Sequence, residues 1–267
     1  MRSRKRGTEP LAYGRGRGMS TAGPAAPRRL TVSNGGPYTG LACENNHKLS
    51  AAAMKPRKIS DSAIRRLSHY LRFLEAFESE GRETISSDDL AERGGTTSAQ
   101  VRKDLSHFGS FGKRGLGYSV PALRARLAEI LGVDRRWNVA LAGAGKLAAA
   151  LHGYDAFRRR GFDVVAVYDN DPRKIGRRWG AITVEDVRRL GKSVREKQVE
   201  IGIVVTPAES AQEVAEAMAA AGISAILNFA PRKLVLPAGV TLQDVNLVIE
   251  LEALCFALTH EGWEVGR

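Results

Sequence analysis

From Ile59 onward, apolar stripes at helical spacing give way to short continuous apolar runs. Ile64, Leu67, Leu71, Leu74 and Phe77 recur every three or four residues with Arg and Glu between them. That period predicts an amphipathic helix over 59–80, ended by Gly81. Ser86-Ser-Asp-Asp89 has N-cap chemistry and predicts a short second helix through Arg93. Gly94-Gly95 turns the chain, and Thr96-Thr97-Ser98 caps a third helix over 99–107. Val101 and Leu105 point inward there, leaving Gln100, Arg102, Lys103, Ser106 and His107 outward. Phe108-Gly-Ser-Phe-Gly-Lys-Arg-Gly-Leu-Gly-Tyr118 sets glycines between aromatics with Lys113-Arg114 at the tip, which predicts a β-hairpin wing. Pro121 opens a fourth helix over 122–131.

After Gly132 the pattern changes to alternating strands and helices, the mark of a parallel sheet. Strands are predicted at 137–142, 162–168, 181–183, 199–205, 224–229 and 240–245. Helices are predicted at 145–160, 184–194, 206–221 and 247–260. The fold class is therefore α/β: a helix-turn-helix unit with a wing, then a doubly wound parallel sheet. Residues 1–54 show no apolar period and are rich in Gly, Pro, Ala, Ser and Arg, which predicts disorder. The expected organisation is a basic tail at 1–54, a DNA-binding unit at 55–134, a nucleotide-binding unit at 135–245 and a terminal helix at 246–267.

Charge sharpens this picture. The formal net charge is +12, but residues 1–58 hold twelve Lys/Arg against Glu9 and Glu44, so +10 of it lies in the tail. The informative cluster runs from Arg93 to Arg126, with seven basic residues and one acidic residue, Asp104. A basic third helix followed by a basic wing fits a unit that docks into a major groove and grips the flanking backbone. Thr97, Ser98, Gln100, Arg102, Lys103, Ser106, His107, Lys113 and Arg114 are its candidate contacts. The bland alternative is a three-helix bundle with a solvated charged face.

No apolar run is long enough for a membrane span, and the basic opening Met-Arg-Ser-Arg-Lys-Arg has no apolar segment behind it. Two cysteines, Cys43 and Cys255, cannot staple a secreted scaffold, so a reducing cytoplasm is expected. Cys and His show no metal-ligand spacing.

Gly143-Ala-Gly145-Lys-Leu-Ala148 lies between a predicted strand and a predicted helix. Gly143 permits the turn, Gly145 lets backbone N–H groups approach a pyrophosphate, and Ala148 allows close helix packing. Asp169, at the end of the next strand, can accept hydrogen bonds from ribose hydroxyls and disfavours a 2′-phosphate, so NAD is expected over NADP. Ala144, Lys146 and Leu147 complete the loop; Lys146 either neutralises a phosphate or faces solvent. Thr206, Pro207 and Asn228, with Phe229, sit at C-terminal strand ends and are candidate lining of a nicotinamide pocket. No Tyr-x-x-x-Lys pair is present, and His152 and His260 fall on helices. A redox enzyme is therefore not expected, and a ligand-responsive regulator is. A dehydrogenase and a CoA-responsive regulator are the rival readings.

Several of these motifs together resemble the Rex family of redox-sensing transcriptional repressors. The resemblance runs from about Ile59 to His260. It is carried by Val101-Arg-Lys-Asp-Leu-Ser-His-Phe-Gly109, Gly112-Lys-Arg-Gly-Leu-Gly-Tyr118, the Gly143 loop, Asp169-Asn-Asp-Pro172 and Gly222-Ile-Ser-Ala-Ile-Leu-Asn-Phe-Ala-Pro231. It implies a winged helix joined to a Rossmann domain, a homodimer with a C-terminal helix swapped between subunits, and release of a palindromic DNA operator by NADH with NAD+ as competitor. It also implies a switch built from Arg72, Tyr154 and an Asp just before the swapped helix. Here that last position is Asn246, and Asp244, two residues back, is the nearest carboxylate. The terminal helix fits the expectation, because Leu247, Leu251, Leu254 and Leu258, with Ile249 and Phe256 on other faces, are too apolar for a lone surface helix; packing on its own sheet is the alternative.

Overall fold

A computed structural model describes residues 59–112 and 115–260. The tail and the Lys113-Arg114 tip lie outside the described residues. Helix α1 (Asp61–Ser79) starts at Ser60, whose side chain accepts from the Ala63 amide. Strand β1 (Thr84–Ile85) leads to α2 (Ser87–Gly94), where Ser86 and Asp89 form a reciprocal capping box. Helix α3 (Ser98–Ser106) is capped by the Thr97 hydroxyl, which accepts from the Gln100 amide. Strand β2 (Tyr118–Ser119) runs straight into α4 (Val120–Leu131). At eight and nine residues, α2 and α3 are too short to be stable alone. Their stability comes from a shared core that includes Leu67, Leu74, Phe77, Leu90, Val101, Leu105 and Leu123, each worth roughly 1.5–3 kcal/mol when fully buried.

Among the described residues, the strand pairing of the wing differs from the hairpin expected. Residues 108–112 pair with no strand; β2 instead pairs antiparallel with β1, Ile85 opposite Tyr118. Strand β1 has two residues, too few to show a period, so the chain pattern did not reveal it. Gly117 makes the closure possible. Its φ is +77°, and a Cβ there would lie 2.3 Å from the Ile85 carbonyl oxygen.

The rest of the chain supplies β3 (Trp137–Ala142), α5 (Lys146–His152), α6 (Asp155–Arg159), β4 (Phe162–Asp169), β5 (Arg178–Trp179), β6 (Ile182–Asp186), α7 (Leu190–Glu196), β7 (Ile201–Val204), α8 (Ala208–Ala220), β8 (Ala225–Asn228), β9 (Thr241–Asp244) and α9 (Leu247–Thr259). Sheet order is β5-β6-β4-β3-β7-β8-β9. All neighbours are parallel except the edge pair β5–β6. Without β5 this is the doubly wound order, whose direction reverses between β3 and β7. Alternation along β3 sends Val139 and Leu141 to the face carrying Ala148 of α5. Ala140 and Ala142 go to the face carrying α7 and α8.

Two predicted helices are revised. The helix expected over 145–160 breaks at Gly153-Tyr154, where Tyr154 takes an extended conformation (ψ 97°) and begins α6. The helix expected from Val184 starts later, because Ile182, Thr183 and Val184 are β-branched and extend β6 alongside β4. Helix α9 buries none of its residues.

Candidate nucleotide pocket and nucleic-acid interface

A cavity of about 1020 Å³ opens at the C-terminal ends of β3, β4 and β7, at the reversal point of the sheet. Gly143, Gly145 and Leu147 line it from the glycine loop, Asp169 to Asp171 and Lys174 from the end of β4, and Val205 to Pro207 from the end of β7. Alanines of α8, including Ala217 and Ala220, line it as well. Gly143 has φ +102°, and a Cβ there would lie 2.8 Å from the Val205 carbonyl oxygen, so the β3 and β7 turns touch at backbone level. Around Gly145 nothing comes within 4 Å of a Cβ position, and no side chain caps α5. The Thr206 hydroxyl is buried at the cavity with no hydrogen-bond partner. An apolar recess, a glycine turn open on one side and an orphaned hydroxyl fit a dinucleotide.

Asp169 does more than line this cavity. It is 7% exposed; Oδ2 accepts from the Ala144 amide at 2.7 Å and from Lys174 Nζ at 2.9 Å, and Oδ1 accepts from the Asp171 amide at 2.8 Å. Burial alone would raise this carboxyl, but the two amides and the Lys174 ammonium outweigh it and hold it below the usual range. A carboxylate has about four acceptor sites, so roughly one is left for a ribose hydroxyl. Asp169 thus braces the glycine loop as well as lining the cavity, and Lys174 is a partner that the loop motif does not specify.

The other predicted pocket residues divide. Thr206, Pro207 and Phe229 line the cavity. Asn228 does not: it is 2% exposed, and its amide donates to Asp244 Oδ1 at 2.8 Å and to the Arg232 carbonyl at 2.9 Å. Its role is to tie the β8 turn to β9. Ala148 packs in the core beneath the loop, while Lys146 is exposed and outside the lining. Tyr154 is exposed and packs edge-on against Phe157 at 5.4 Å. Of the implied switch residues, Arg72 is exposed on α1, and Asn246 caps α9 by accepting from the Val248 amide.

On the helical unit, Arg102, Lys103 and Ser106 are exposed on α3. Arg102 and Ser106 share a concavity of about 510 Å³ with Phe111, Gly115, Gly117 and Tyr118 of the following loop. Arg102 Nη1 donates to the Ser87 hydroxyl at 2.8 Å, which orients the guanidinium across α2. Thr97 is exposed but spends its hydroxyl on the cap, and Ser98 and His107 are half-buried. Gln100 is revised: its amide turns back and donates to Asp104 Oδ1 at 2.7 Å.

Asp104, which the chain pattern marks merely as a lone acid in a basic stretch, organises this unit. It is 1% exposed and accepts from Arg66 Nε (2.6 Å), Arg66 Nη2 (2.8 Å), Gln100 and the Tyr70 hydroxyl (3.1 Å). Burial pushes its carboxyl up, and these four bonds more than offset that and hold it low. An acid one residue before inward Leu105 was the available signal. A carboxylate at a core-facing position requires a cationic partner.

Two family models match separate stretches of the chain. Residues 58–106 match the family described as "Putative DNA-binding protein N-terminus", and residues 134–232 match the "CoA binding domain" family. A redox-sensing transcriptional repressor Rex of Carboxydothermus hydrogenoformans is 46% identical over 208 residues, covering 78% of this chain and 100% of its own. The crystal structure of RSP in complex with beta-NAD+ and operator DNA aligns with a TM-score of 0.73 at 36% identity, over 76% of this chain and 94% of that one. RSP in complex with beta-NADH aligns at 0.69 and 35% identity, over 76% and 96%.

Proposed function

The chain belongs to the Rex family of redox-sensing transcriptional repressors, and we propose that NADH in the Gly143 pocket releases it from operator DNA. The observation that carries this reading is the pairing, in one chain, of an exposed basic α3 with a cavity of about 1020 Å³ against the glycine loop at the switch point of the sheet. Arg102 and Lys103 contact the major groove, and the loop after α3 follows the adjacent backbone. Two carboxylates, Asp169 and Asp171, line the β4 end of the cavity and disfavour a dinucleotide carrying an extra phosphate there.

The chain works as a homodimer in the cytoplasm. Leu247, Val248, Ile249, Leu251, Leu254, Phe256 and Leu258 of α9 are 44–82% exposed in a single chain, more apolar surface than a monomer keeps in water. A second copy covers it by exchanging α9. Two α3 helices then meet successive half-sites of a palindromic operator. NADH must bind the released arrangement more tightly than the DNA-bound one, since equal affinity shifts nothing. NAD+, with its charged nicotinamide, discriminates less.

The test is fluorescence polarisation of a labelled palindromic operator duplex titrated with NADH, NAD+ and NADPH at fixed salt. Release by micromolar NADH, with little release by NADPH, supports the reading; equal release by all three, or by none, contradicts it.

A further inference from the structure

Away from the linker, the helical core and the sheet are bridged by a pair eighty-five residues apart. Arg160 donates from Nη1 to Glu75 Oε1 and from Nη2 to Glu75 Oε2, both at 2.6 Å. Both side chains are about a third exposed, at 37% and 36%. A lone surface pair contributes little to stability, but a two-pronged guanidinium–carboxylate contact fixes orientation as well as distance. The elements at its two ends give that geometry a use. Arg160 is the C-cap of α6, whose N-cap is Tyr154. Phe157 of α6 packs in the same core as Ala148 and Leu151 of α5, the helix that begins at the glycine loop.

At the other end, Glu75 lies on α1 nine residues after Arg66. At about 100° per residue that is half a turn, so the two side chains leave opposite faces, roughly 14 Å apart along the axis. One face grips α3 through Arg66 and Tyr70 on Asp104; the other grips α6 through Glu75.

We propose that the Arg160–Glu75 pair is the intrachain link that makes the position of α1, and with it α3, depend on the state of the Gly143 pocket. Both residues are positioning residues, and the proposal rests on the NADH-responsive reading above. In this chain Asn246 stands where the family resemblance implies a carboxylate for Arg72, so a second route from the nucleotide unit to α1 carries more of the coupling.

The experiment uses the full-length protein and compares operator Kd without NADH and at saturating NADH; the ratio is the coupling factor. Variants are Arg160→Glu, Glu75→Arg, the double exchange of both, and Arg160→Lys, which keeps the charge but loses the fork. Nicotinamide fluorescence confirms that each binds NADH, and circular dichroism that each is folded. The expected result is a coupling factor reduced at least tenfold in both single reversals, restored to within about threefold in the double exchange, and intermediate in the lysine variant. Wild-type coupling in folded single variants overturns the proposal, as does a double exchange that fails to restore it. A wild-type protein whose operator affinity ignores NADH is recognised before any variant is read, and it removes the ground of the functional reading itself.

Discussion

Replacing Asp104 with Asn leaves the shape of the site nearly unchanged and removes its charge. Four hydrogen bonds converge on this carboxylate, two of them from the Arg66 guanidinium. Removing one partner of a buried ion pair costs about 3–5 kcal/mol when the other charge is stranded. Arg66 is 30% exposed and can turn toward water, so the expected loss is about 2–3 kcal/mol. The helical part and the sheet form one compact unit, and for a unit of 150–250 residues each kcal/mol lowers Tm by roughly 2–4 °C. Thermal unfolding followed by circular dichroism reads this directly, and operator polarisation reads the accompanying loss of α3 placement. A pH series adds the sign. The folded Asp104 carboxyl lies below its ordinary value, so its contribution is present above the unfolded pKa of about 3.9 and fades as pH falls through that value and below. The gap between wild type and variant should therefore close in acid. A loss below about 0.5 kcal/mol at neutral pH, or a gap that persists undiminished in acid, would refute the reasoning.

Three further outcomes are expected. Gly143→Ala places a Cβ 2.8 Å from the Val205 carbonyl oxygen at a positive φ, so NADH release should be lost while operator affinity without nucleotide stays within about threefold. The opposite dissection follows from Arg102→Ala: NADH binding intact, operator affinity down at least tenfold, and discrimination against single base-pair changes in the half-site relaxed. Leu251→Glu combined with Leu254→Glu on α9 should shift the protein from dimer to monomer in analytical ultracentrifugation; a dimer that survives both changes would remove α9 from the interface.

Much of this architecture was legible in the chain because its signals are local. The stripe from Ile64 to Phe77, the cap residues Ser86 and Thr97, and the apolar runs feeding the Gly143 turn all act within a few residues of themselves. The misses share a different cause. Strand β1 exists because Tyr118 arrives from thirty-three residues downstream to pair with Ile85, and Val184 joined a strand because β4 offered an edge. The site follows the same rule. The loop glycines and Asp169 could be named from spacing, yet Lys174 on Asp169, Arg66 on Asp104 and Arg160 on Glu75 depend on how elements are brought together. Asn228 shows the converse. Its position at a strand end suggested ligand contact, while its amide is consumed in holding the β8 turn.

The central claim is that the Gly143 pocket and the α3 surface report on each other, and linkage gives that claim its sharpest form. If NADH weakens operator binding by some factor, the operator must weaken NADH binding by the same factor. The decisive measurement is NADH Kd by nicotinamide fluorescence, with and without saturating operator duplex, set beside operator Kd with and without saturating NADH. Two ratios that agree, each well above one, are the predicted result; an NADH affinity indifferent to the operator would contradict it.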